Sequence, residues 1–151
     1  MQRILIFLAG LFLVVPAFAA PGSGIVILSA ADAPGKVSVE RIAACERLIA
    51  QDLKINEVDI PRIVVMHVSQ RAGVAAGVPR TTVRRNYDAA NDQTVYYEFW
   101  IVGEPRDIDY SAGVMNILEN RSGRKVEEKE RMAILQRAVR FLQSTVSAYG
   151  E

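Results

Sequence analysis

The chain has 151 residues, with 18 Lys and Arg against 17 Asp and Glu, one histidine and one cysteine. A chain of this length can bury one hydrophobic core without metal or disulfide staples, and 50% hydrophobic with 23% charged residues is a globular balance. The near-zero net charge leaves no surplus of cations to exchange against phosphate counterions, so nucleic acid is not an expected partner; a lone Cys45 excludes an intrachain disulfide.

Residues 1–20 read as an export signal. Arg3 supplies the positive start, Ile4 to Val15 is a nearly unbroken apolar run, Pro16 breaks it, and Ala17-Phe18-Ala19 gives the small-x-small cleavage pattern. The run falls short of the roughly 20 apolar residues needed to cross a bilayer. A cleaved leader and a soluble periplasmic or secreted product are the expectation. Residues 21–35 then form a flexible or weak-strand start around Ile25-Val26-Ile27-Leu28, and residues 36–151 a single α+β domain.

From Ser38, a side chain suited to capping, Val39, Ile42, Cys45, Ile49 and Leu53 recur at helical spacing, with Asn56, Asp59 and Pro61 as the stop. Ile63 to Val68 is β-branched on both sides, as an interior strand is. Ser69 to Gly77 reads as a short helix or alanine-rich loop. Thr81 to Asn86 and Thr94 to Val102 read as a hairpin, the second strand carrying Val95, Tyr97, Phe99 and Ile101 on a core side and Tyr96, Glu98 and Trp100 on the other.

Asp109 is the expected cap of a helix ending at Gly123, and the acids Glu127, Glu128 and Glu130 open a long final helix. Its expected stripe is Met132, Leu135, Val139, Leu142 and Val146, widened by Ile134, Ala138 and Phe141. The order predicts an α+β fold: a small three- or four-stranded, mainly antiparallel sheet packed against helices, with a long C-terminal helix.

Few residues point to chemistry. His67 is the sole imidazole and shares a strand face with Ile63 and Val65. Cys45 lies mid-helix on the apolar stripe, where a thiol is inert. No metal site is expected, because His67, Cys45 and the acids have no recognised ligand spacing. Asn116-Ile117-Leu118-Glu119-Asn120 has the four-residue spacing of the zinc-peptidase helix, with amides where both imidazole ligands belong. Coincidence accounts for it better, with Asn116, Glu119 and Asn120 as a polar helix face.

Glu98 between two aromatics, with Arg84 on the preceding strand, is the most attractive group. The leading expectation is an exported, non-catalytic binding or interaction module whose Tyr96, Glu98 and Trp100 platform, with His67 and Arg84 at its edge, takes a small molecule, a peptide or an envelope protein. No catalytic residue or cofactor is assigned. The alternative is an envelope hydrolase, either metal-dependent through His67 and scattered acids or a zinc-peptidase-like framework that has lost its metal ligands. Self-assembly through the final helix or an open sheet edge is a third expectation.

Overall fold

The computed structural model describes residues 24–56 and 62–148. The export segment, Asp59 and Pro61 lie outside them. The fold is α+β, with a four-stranded mixed sheet and four helices among the described residues. The chain divides into two compact units, Met1–Val37 with Arg62–Pro105, and Ser38–Pro61 with Arg106–Glu151.

The first unit holds the sheet: β1 (Ile25–Ser29), β2 (Ile63–Val68), β3 (Thr81–Asp88) and β4 (Gln93–Val102), in the order β1-β2-β4-β3. The expected hairpin is present, with β3 antiparallel to β4. The other two pairings, β1 with β2 and β2 with β4, are parallel, so the sheet is mixed and not mainly antiparallel. A short turn forces antiparallel neighbours only on the hairpin. Between β1 and β2, and between β2 and β4, the chain passes through intervening elements that return it to the same end of the sheet, which is what parallel neighbours require.

Register fixes two faces. Ile63, Val65 and His67 of β2 lie beside Tyr97, Phe99 and Ile101 of β4, and all six are 0–1% exposed. The opposite face is arranged in rows across the strands. One row runs Val26, Val64, Glu98, Arg84; the next runs Leu28, Met66, Trp100, Thr82. The short helix Gln70–Ala75, α2 in chain order, closes this face at its Val68 and Val102 end. The closure needs Gly73: a Cβ there would stand 2.3 Å from Val102 Cγ1. Ser69 caps this helix by accepting from the Ala72 N–H.

The second unit is helical. Its α1 (Val39–Leu53) starts where Ser38 Oγ accepts from the Arg41 N–H and stops at Lys54 in the left-handed region. It buries Ile42, Cys45, Ile49 and Leu53, as the spacing predicts. Helix α3 spans Asp107–Ser122 and ends at Gly123, whose φ of 64° suits a residue without Cβ. Asp109 is not its cap. Arg106 occupies that position, and the Asp109 carboxylate reaches back to accept from the Arg106 N–H at 3.0 Å. Helix α4 spans Glu128–Ala148. Its buried stripe is Ile134, Leu135, Ala138 and Leu142, while Met132 and Phe141 remain 44% and 41% exposed. Val146 lies beyond the side chains described.

Candidate functional site

The even-numbered side of β4 brings Tyr96, Glu98 and Trp100 onto one face, as the alternation predicts. Glu98 is half-buried, and its Oε2 accepts from the Trp100 indole N–H at 3.2 Å. Arg84 stands directly across from Glu98 on β3 and is exposed, with its guanidinium 5.7 Å from the Trp100 ring centroid. Tyr96, half-buried, accepts from Asn86 Nδ2 at 2.9 Å through its hydroxyl. Trp100 is 4% exposed, because its ring joins Val68, Val78 and Val102 in the cluster under α2. The acid and the arginine are therefore reachable, whereas the indole acts mainly as their fixed support.

The same rows continue onto β2 and β1 as Val64, Met66, Val26 and Leu28, all half-buried. One half of the face is apolar and the other bears a carboxylate, a guanidinium, an amide and a phenol. That division suits a molecule with an apolar body and a polar head.

His67 does not belong to this group. The expectation that it lies at the platform's edge fails: strand alternation puts it on the opposite face, beside Ile101 and 0% exposed. Its Nε2–H donates to the Gly103 carbonyl at 3.0 Å, which leaves Nδ1 to accept from Ser29 Oγ at 3.4 Å. Burial holds its pKa below the usual imidazole range. An enclosed imidazole with both nitrogens engaged is a packing element.

The zinc-peptidase-like spacing also resolves into structure. Arg131 of α4 donates to both Asn116 Oδ1 and Glu119 Oε2 of α3, so these groups join two helices. Among the described residues, no three His, Cys, Asp or Glu side chains gather as a metal site does. Cys45 packs against Ser111 Oγ at 3.7 Å, and burial pushes its thiol up to about 11.

One group escaped the sequence reading. Glu46 on α1 is 6% exposed, and its Oε1 has no hydrogen-bond partner among the described residues. Burial pushes its carboxyl up to about 7. Its position four residues after Ile42 and three before Ile49, inside the apolar stripe, was the available signal.

Comparison with protein-family models, with curated proteins and with solved structures finds no match to this chain.

Proposed function

We propose that the chain is an exported, non-catalytic binding module that holds a small amphipathic molecule or peptide segment on the even-numbered face of β4. The observation that carries this reading is the row Val26, Val64, Glu98, Arg84, which crosses the sheet from apolar to charged on a face that is not fully buried. The ligand's apolar body lies along Val64 and Met66, and its head meets Glu98 and Arg84. The export half of the proposal is supported by residues 1–20. The hydrolase alternative gains no residue from this geometry, since Asn116 and Glu119 are taken up by Arg131.

Trp100 is the only tryptophan, so its emission reports this face and no other. Titration with octyl glucoside below its micelle concentration and with hydrophobic tripeptides is expected to give a saturable emission change for at least one of them. Glu98→Gln is expected to weaken that response about tenfold, the effect of one lost charge-assisted hydrogen bond. No saturable response from any probe, or one that Glu98→Gln leaves unchanged, would remove the proposal.

A further inference from the structure

We infer that the outer edge of β3 accepts an added strand from an extended acidic peptide. Among the described residues, β3 is the last strand of the sheet. The Val102 N–H donates to the Arg80 carbonyl, so alternate residues of β3 bond to β4, and the N–H and C=O of Val83 and Arg85 point away from it. Those groups are a template for another strand.

Charge chooses the occupant. Arg80 to Tyr87 contains three arginines and no acid. Arg84 and Arg85 are both exposed and, being consecutive, lie on opposite faces of the strand. Each guanidinium is set over an aromatic ring, Arg84 at 5.7 Å from the Trp100 centroid and Arg85 at 4.9 Å from that of Tyr87. Stacking of this kind steadies the plane and leaves the N–H donors at its rim for a carboxylate. An extended peptide also alternates faces, so two adjacent acids would place one carboxylate beside each arginine. A second copy of this chain fits poorly, because antiparallel pairing of β3 with itself would bring the arginines together. Asp88 and Asp92 at the hairpin turn repel acids from that end and so help set the register.

This surface is the strand edge, and it shares only Arg84 with the proposed ligand face; Arg85 reads the edge alone. The test uses a capped, labelled heptapeptide with two adjacent glutamates among valines and threonines. Its controls are the same peptide N-methylated on its pairing amides, a version with lysines for glutamates, and inorganic polyphosphate. Saturable binding of the acidic peptide is expected, with slowed amide exchange at Val83 and Arg85 and no binding of the first two controls. Arg85→Gln is expected to weaken it about threefold to fivefold, the size of an exposed charge pair, and Arg85→Glu to transfer preference to the lysine peptide. Absence of binding, equal binding of the N-methylated peptide, or an Arg85→Gln variant with unchanged affinity would overturn the inference. Polyphosphate that competes while exchange at Val83 and Arg85 is unaltered would also overturn it, in favour of general attraction for anions. A negative result here, with the Trp100 titration intact, removes the edge and leaves the face.

Discussion

The two faces of the central strands make the most informative comparison in the molecule. Neighbouring residues on one strand, Phe99 and Glu98, meet opposite conditions: Phe99 is fully buried, and Glu98 is half-buried beside an exposed arginine. The same holds one strand away, where His67 is enclosed while Met66 is half-buried. Polar character alone does not mark a functional group. His67 has both ring nitrogens engaged inside the protein, whereas half-buried Glu98 accepts from the Trp100 indole through one oxygen.

If the faces differ in this way, substitutions on them must differ in cost. Phe99→Ala is expected to lose about 3–5 kcal/mol in urea denaturation, the toll for an emptied aromatic site. Glu46, in the helical unit, gives the next effect. Its folded pKa of about 7 lies above the ordinary 4.5, so the folded state holds the proton more tightly. The Glu46 contribution to stability is therefore full below pH 4.5 and declines as pH rises to about 7, by on the order of 3 kcal/mol. Glu46→Gln should abolish that decline, and denaturation at pH 5 and pH 8 checks it. His67 acts with the opposite sign. Its folded pKa is depressed, so its contribution is present above the ordinary 6.5 and is lost as pH falls from there.

Smaller effects sharpen the contrast on the open face. Gly73→Ala drives a methyl into Val102 and is expected to cost about 1–3 kcal/mol, with exchange rates rising in α2. Val64→Ala, on the half-buried row, should cost about 1 kcal/mol. A Val64→Ala penalty as large as that of Phe99→Ala would mean that the two faces are equally closed.

Local pattern carried much of this into the sequence. The alternation over residues 94–102 separates the two faces of β4, Ser38 and Gly123 mark helix ends, and the β-branched run at Ile63 to Val68 is interior. What was not legible is non-local. Parallel pairing depends on where the chain re-enters the sheet, and the hairpin says nothing about that. Val95 follows the core alternation yet is 50% exposed, because it lies near the hairpin end where the register shifts between Asn86 and Tyr87. Asp109 has the chemistry of a cap, but an acid three residues into a helix serves the same N-terminus from inside. For the candidate site, Tyr96, Glu98, Trp100 and Arg84 share a face by register, whereas parity along β2 puts His67 with Ile63 and Val65 on the buried side.

The central claim is that the Glu98 side of the sheet is reachable in the folded protein while the His67 side is closed. Mass-spectrometric footprinting of the native chain with a carbodiimide for carboxylates and diethylpyrocarbonate for imidazole tests both halves at once. The account predicts rapid labelling of Glu98 and none of His67 until the protein unfolds. A native protein in which Glu98 resists labelling as completely as Phe99's surroundings imply for His67, or in which His67 reacts first, would contradict it.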